Sequence, residues 1–303
     1  MNFSHKASNL LPRFDGWGIL LYRGKAFCEY MLSTTMHPNP PVLAGYIRKL
    51  SLCAALLVGS SCPCPKPSPQ DKLVIFAAAS LRDAFYALGE PFGRMHPDVK
   101  LTFNFAGTQE LRAQMEHGAS ADVFASADVR HMDMLAQKGL VQPPITFAHN
   151  KLVVVVAKNL APPIQNLTDV PSASRIVVGV PEVPVGQYTL HILQQATSSM
   201  PDFQTRIEAK VVSREFDSRQ ILAKVRLGAA QAGFVYQTDA LSAPELAVVH
   251  IPEEINATAK YLMAVPSKAR NPQLARKWVD FVLSDVGQHI LRNAGFMPFT
   301  SGH

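Results

Sequence analysis

Four short stretches hold the residues of this 303-residue chain best placed to do chemistry together. They are Ala77-Ala78-Ala79-Ser80, Ala106-Gly107-Thr108-Gln109, Pro184-Val185-Gly186-Gln187-Tyr188 and Phe216-Asp217-Ser218-Arg219. Each follows a strand-like run and sets small or hydroxyl residues at the start of a helix-like one. A helix N-terminus presents free backbone N–H groups and a partial positive charge. Several of them converging on one crevice would bind an anion without any Lys or Arg. That chemistry is capture, with no bond made or broken. Taken singly, each stretch has a plainer reading: a serine as an N-cap, Gly-Thr as a turn, Pro-Val-Gly as loop punctuation. Tyr236, at the end of another strand-like run, reads singly as a core tyrosine with its hydroxyl at the surface.

Other chemistries lack their motifs. No G-x-G-x-x-G follows a strand, and neither G-x-x-x-x-G-K-[ST], H-E-x-x-H nor G-x-S-x-G occurs. The ten histidines are scattered, with none at metal-ligand spacing from a carboxylate. All four cysteines precede residue 65, so the remainder has neither a disulfide nor a thiolate metal site.

The elements that must position these stretches follow from periodicity. Short apolar or alternating runs predict strands at 73–77, 99–105, 123–125, 151–157, 176–180, 209–212, 232–236, 246–251 and 260–265. Helical patterns lie between them. Leu81, Phe85 and Leu88 form one apolar stripe, with Ser80 or a neighbour as its cap. Further helices are expected at 109–117, 129–138, 188–196, 220–227, 273–283 and 285–293. Gly118, Gly139 and Gly228 stop three of them. Strands alternating with helices predict an α/β fold with mostly parallel sheets. In such folds ligand crevices lie beyond the carboxyl ends of the strands.

Most of the net charge of +6 lies in the N-terminal part. Residues 1–70 carry seven Lys/Arg against two Asp/Glu, and residues 71–303 carry 22 against 21. The larger part therefore lacks the basic excess that nucleic-acid binding requires. Residues 1–70 read as a leader. Arg48-Lys49 is followed by an apolar run at 50–58, too short to span a bilayer, and then by Gly59-Ser60-Ser61. A Pro-rich tether from Cys62 to Pro69 cannot be helical. The pattern predicts export with cleavage near Ser61 or Cys62. Cys62 fits a lipid-attachment site, although Gly59 stands where an aliphatic residue is usual, and ordinary signal-peptidase cleavage fits as well. The predicted location is the periplasm or the outer face of the cytoplasmic membrane.

In order and spacing, these stretches resemble the periplasmic molybdate-binding components of ABC transporters over about residues 72–297. The resemblance is carried by Val74-Ile75-Phe76-Ala77-Ala78-Ala79-Ser80-Leu81 and by Ala119-Ser120-Ala121-Asp122-Val123-Phe124-Ala125-Ser126-Ala127-Asp128. Val183-Pro184-Val185-Gly186-Gln187-Tyr188 and Ala232-Gly233-Phe234-Val235-Tyr236-Gln237-Thr238-Asp239-Ala240 complete it. It implies a type II periplasmic-binding-protein fold, with two α/β lobes, a hinge and a ligand cleft between the lobes. Lobe 1 is expected at 71–149 plus 257–303 and lobe 2 at 150–256, with crossings near Asn150 and Asn256. The implied ligand is molybdate or tungstate, with no cofactor and no direct metal ligand. The implied partners are an ABC permease and its ATPase, and the chain is expected to act as a monomer.

By the same resemblance, Ser80 supplies a hydroxyl and an amide, Thr108 a hydroxyl where serine is usual, and Val185 a backbone N–H. Ser218 takes an amide-donating position usually held by an apolar residue, and Tyr236 supplies a phenolic hydroxyl. The site segments are expected to offer no carboxylate to a protonated anion. Alternatives are a carrier of sulfate or another small oxyanion, a hydrolase with Ser80 as nucleophile, and the sensing domain of a regulator. The hydrolase needs a base, and no histidine adjoins the motifs. The regulator would bring a helix-turn-helix, and residues 1–70 hold none.

Overall fold

The computed structural model describes residues 71–298. Arg48-Lys49, the apolar run at 50–58 and Cys62 lie outside the described residues. The fold is two-lobed α/β, organised by one mixed sheet in two halves. The first half contains β1 (Asp71–Ala78), β2 (Val99–Ala106), β3 (Val123–Ser126) and β9 (Thr258–Ala264), together with the first part of β4 (Ile145–Val156). The second half contains the rest of β4 with β5 (Ile176–Gly179), β6 (Val211–Glu215), β7 (Ala232–Tyr236) and β8 (Ala247–His250). The strand order is β2-β1-β3-β9-β4-β7-β5-β6, and β8 and the two-residue β10 (Met297–Pro298) also pair with β4.

β4 belongs to both halves because its sequence changes character midway. Residues 145–151 pair antiparallel with β9, and 152–156 pair with β7. Val153 to Val156 are buried, as suits β-branched residues in a central strand. Burying one such side chain contributes about 1.5–3 kcal/mol. In the second half only β4 runs against its neighbours; in the first, β9 and β10 do.

The strand change in β4 is fastened by two asparagines. Asn150 is buried and its Nδ2 donates to Thr238 Oγ1 at 2.9 Å. Asn256 holds both backbone groups of Leu152: its Oδ1 accepts from Leu152 N at 3.3 Å and its Nδ2 donates to Leu152 O at 3.0 Å.

The helices are α1 (Arg82–Met95), α2 (Thr108–Glu116), α3 (Val129–Gln137), α4 (Pro184–Thr197), α5 (Phe203–Glu208), α6 (Ser218–Arg226), α7 (Gln237–Leu241), α8 (Pro272–Leu283) and α9 (Asp285–Asn293). Trp278 of α8 and Phe85 and Phe92 of α1 meet edge to face in the core, with centroids 5.1–5.7 Å apart. Gly118, Gly139 and Gly228 take positive φ just beyond α2, α3 and α6, where the sequence placed the stops.

Four local expectations need correction. Ser80 caps no helix: it lies in a 3-10 turn, Ala79–Leu81, and no side chain caps α1. α4 begins at Pro184 rather than at 188, because proline at the first helical position costs no hydrogen bond. β6 occupies Val211–Glu215 rather than 209–212, and α5, six residues long, is too short to show a period. β4 starts at Ile145, where it alternates against β9 instead of forming an apolar run.

Candidate functional site

All five residues expected at the site are buried, and all line one small cavity. Each stands at or beyond the carboxyl end of a strand. Ser80 follows β1, Thr108 follows β2, Val185 comes after β5, Ser218 follows β6, and Tyr236 ends β7. About 20 Å³ of the cavity is open to the centre of a water-sized sphere, against the roughly 10–15 Å³ one water requires. Such a space suits one compact polar group.

The first half supplies hydroxyls that already have protein partners. Thr108 Oγ1 accepts from the Ala127 N–H at 3.2 Å, which leaves the threonine proton free to donate. Ser80 Oγ lies 2.9 Å from Tyr261 Oη. Thr108 also opens α2, and helix geometry leaves its N–H without an intrahelical acceptor.

The second half supplies two helix N-termini. In α4 the proline at N1 has no N–H, and Gln187 N is the first to reach back, to Val183 O. The Val185 and Gly186 amides therefore have no carbonyl within the helix. Gly186 has to be glycine for a steric reason: a Cβ there would run into the Val180 carbonyl. In α6, Asp217 is the cap and accepts from Gln220 N at 2.9 Å. The Ser218 and Arg219 amides stay outside both the cap and the helical ladder.

Tyr236 completes the cavity. Its hydroxyl is buried and has no hydrogen-bond partner among the described residues. A buried polar group left unpaired costs about 1–3 kcal/mol, so this hydroxyl is a donor available to whatever enters the cavity. Burial pushes the Tyr236 hydroxyl well above its ordinary value, and Tyr261 and Tyr188 beside it push the same way. It is therefore a donor across the neutral range.

No Lys or Arg side chain lines the cavity. Arg219, next to Ser218, is spent on carboxylates. Its Nε lies 2.7 Å from Asp239 Oδ1 and its Nη2 lies 2.5 Å from Asp83 Oδ2. Burial opposes the Arg219 charge, but Asp239 and Asp83 together hold it above its ordinary value. One expectation fails here: a carboxylate does line the cavity, that of Asp217. Each of its oxygens already accepts a hydrogen bond, Oδ1 from Gln220 N and Oδ2 from Gln220 Nε2 at 2.7 Å, because it is the helix cap. The residue type before a helix-like run gave the signal for it.

The rim of the cavity is bridged from half to half. Arg219 of α6 reaches Asp83 of α1, and Gln109 Nε2 of α2 donates to Phe216 O at 2.9 Å. Arg130 Nη2 donates to Glu182 O at 2.5 Å, and His131 Nε2 contacts the same carbonyl at 3.0 Å. The roles of Tyr261, Arg219 and His131 around the site were not legible from the sequence, although Arg219 lies in one of the four stretches. Their partners are distant in the sequence, and no local pattern marks them.

A two-lobed α/β fold with a donor-lined cleft at the strand ends defines a solute-binding protein, whose work is binding rather than catalysis. The chain belongs to the family of bacterial extracellular solute-binding proteins, which it matches over residues 73–297. It is 37% identical over 259 residues to the molybdate-binding protein ModA of Mycobacterium tuberculosis, covering 83% of this chain and 96% of that protein. Its fold is similar to that of the periplasmic molybdate-binding protein of Azotobacter vinelandii. The TM-score is 0.67 at 20% identity, over 75% of this chain and 100% of the other. It is also similar to the sulfate-binding protein SubI of M. tuberculosis, with a TM-score of 0.68 at 15% identity, over 76% and 88% of the two chains. The fold alone thus does not choose between the two anions.

Proposed function

We propose that this protein captures molybdate or tungstate outside the cytoplasm and passes it to the permease and ATPase of an ABC transporter. The observation that carries the reading is a cavity in which hydroxyls of Ser80, Thr108 and Tyr236 and amides of Val185 and Ser218 converge without a cationic side chain. Hydrogen bonds from neutral donors to a dianion are charge-assisted and about twice as strong as neutral ones. Each contributes about 1.5–3 kcal/mol. The 37% identity to a molybdate-binding protein supports the choice of anion.

Phosphate is disfavoured because at neutral pH it carries a proton that needs an acceptor. Asp217, the acidic residue in the cavity lining, is turned to Gln220 as the helix cap. An unmatched proton among donors is a repulsive element that lowers affinity for the wrong ligand. Lobes at 71–149 plus 257–303 and at 150–256 would close on the anion about the Asn150 and Asn256 crossings. The leader reading adds export, with the mature chain tethered through Cys62 if that residue is acylated, and a monomer suffices for the cycle. Among the described residues no helix is long and apolar enough to cross a membrane.

Sulfate is the second reading, favoured by the small cavity and by the extra methyl of Thr108. Titration calorimetry of the purified protein separates the two. Molybdate and tungstate, alike in charge and shape, should bind one per chain and displace each other near stoichiometrically. Large excesses of sulfate or phosphate should not displace them. Sulfate competing on equal terms would replace molybdate by sulfate in this reading. Mass spectrometry of the mature N-terminus tests export, and an intact leader on cytoplasmic protein would end that part of the proposal.

A further inference from the structure

Ser80 has one hydroxyl proton and a buried neighbour that competes for it. Tyr261 lies on β9, is fully buried, and is not among the residues lining the cavity. Its ring is held on three sides: edge to face with Tyr236 at 5.7 Å, with Phe296 at 5.2 Å and with Phe147 at 6.3 Å. Its hydroxyl is therefore fixed 2.9 Å from Ser80 Oγ, and by geometry either oxygen can donate.

The surroundings settle the direction. Ser80 Oγ is the hydrogen-bond partner of the buried Tyr261 hydroxyl, which has no other among the described residues. If Ser80 donated, the Tyr261 proton would be buried without an acceptor, whereas the Ser80 proton can turn into the cavity that Ser80 lines. The Tyr261 proton therefore points to Ser80. The reverse arrangement would leave Ser80 donating to Tyr261, with nothing to offer an anion.

We propose that Tyr261 is a positioning residue, which donates its hydroxyl proton to Ser80 Oγ and so aims the single Ser80 proton into the cavity. The inference rests on the anion-capture reading and adds to it a cause of specificity. The pair runs from Tyr261 on the buried strand β9 to Ser80 at the cavity wall. It presents a donor only, which suits a fully deprotonated oxyanion and opposes a ligand that needs an acceptor at that point.

A double-mutant cycle tests it, with molybdate affinity read by calorimetry for the wild type, Tyr261→Phe, Ser80→Ala and the double variant. Tyr261→Phe keeps the ring packing and should weaken binding about three- to tenfold, the size of one neutral hydrogen bond. In the Ser80→Ala background the same change should have no further effect, because there is no proton left to aim. A merely structural tyrosine would cost the same in both backgrounds, and that result overturns the inference. Full affinity in Tyr261→Phe alongside lost affinity in Ser80→Ala also overturns it while leaving the site intact. Full affinity in Ser80→Ala removes both the site reading and this inference. Should Tyr261→Phe not fold, 3-fluorotyrosine incorporated at position 261 keeps the ring and sharpens the hydroxyl as a donor. Tighter molybdate binding then supports the assigned direction, and weaker binding reverses it.

Discussion

The two walls of the cavity are prepared in different ways. On the first-half wall the hydroxyls already have protein partners: Ser80 meets Tyr261, and Thr108 accepts from Ala127 N. On the second-half wall the donors have none among the described residues. Tyr236 Oη is buried and unpartnered, and the first amides of α4 and α6 lie outside their helical ladders. One wall is aimed in advance at the cost of side-chain hydrogen bonds. The other holds unsatisfied donors that gain fully when an anion arrives. A binding protein needs both features, since pre-aimed donors limit the ordering cost and unsatisfied ones supply the gain.

The largest effect should come from displacing the unsatisfied wall as a whole. Gly186→Ala puts a Cβ into the Val180 carbonyl, so the N-terminus of α4 has to shift. Overpacking of this kind costs about 1–3 kcal/mol of stability. Molybdate affinity should fall by about two decades or more, as the Val185 and Gly186 amides leave their positions together. Calorimetry with a thermal unfolding scan checks both figures, and unchanged affinity would show that α4 contributes no donor.

A smaller effect is expected from one unsatisfied donor. Tyr236→Phe should weaken molybdate binding by roughly one to two decades, since a hydrogen bond to a charged group contributes about 1.5–3 kcal/mol. The same change should stabilise the ligand-free protein or leave its melting temperature unchanged, because it removes a buried unpaired hydroxyl. That opposite pair of signs separates an unsatisfied donor from a structural one. A lower melting temperature would mean that Tyr236 has a protein partner when no anion is bound.

The smallest effect concerns the rim where the walls meet. Burial pushes the His131 imidazole below its ordinary value of 6.5, against the pull of Asp128 and of its bond to Glu182; Arg130 and Arg112 add to the lowering. As pH falls, the unfolded chain takes up this proton first. The stability that neutral His131 contributes is therefore present above about pH 6.5 and lost as pH drops towards the folded-state value. Thermal unfolding of the ligand-free protein should show a steeper decline between pH 7 and 5 in the wild type than in His131→Gln. Equal slopes would remove His131 as the group responsible.

Much of the molecule was legible beforehand because its signals are local. Alternating strand and helix patterns, three glycine stops and the small-residue starts of four helices lie within a few residues of what they control. The same holds for the five donors, whose place at strand ends follows from chain order once the α/β alternation is read. Element starts were less legible where a signal was short or two-sided, as with α5 and the first half of β4.

The sequence by itself determined which residues offer donors, and that each stands where a strand gives way to a helix. Only the tertiary structure decided which donors are already engaged. Ser80 and Tyr261 are 181 residues apart, and Arg219 and Asp83 are 136 apart. Both pairings depend on the last part of the chain returning as β9 between β3 and β4, and on the two halves meeting at the rim. A hydrogen bond is decided by distance and direction to within a fraction of an ångström. Periodicity reports which face a residue lies on, and the packing of distant elements sets the rest.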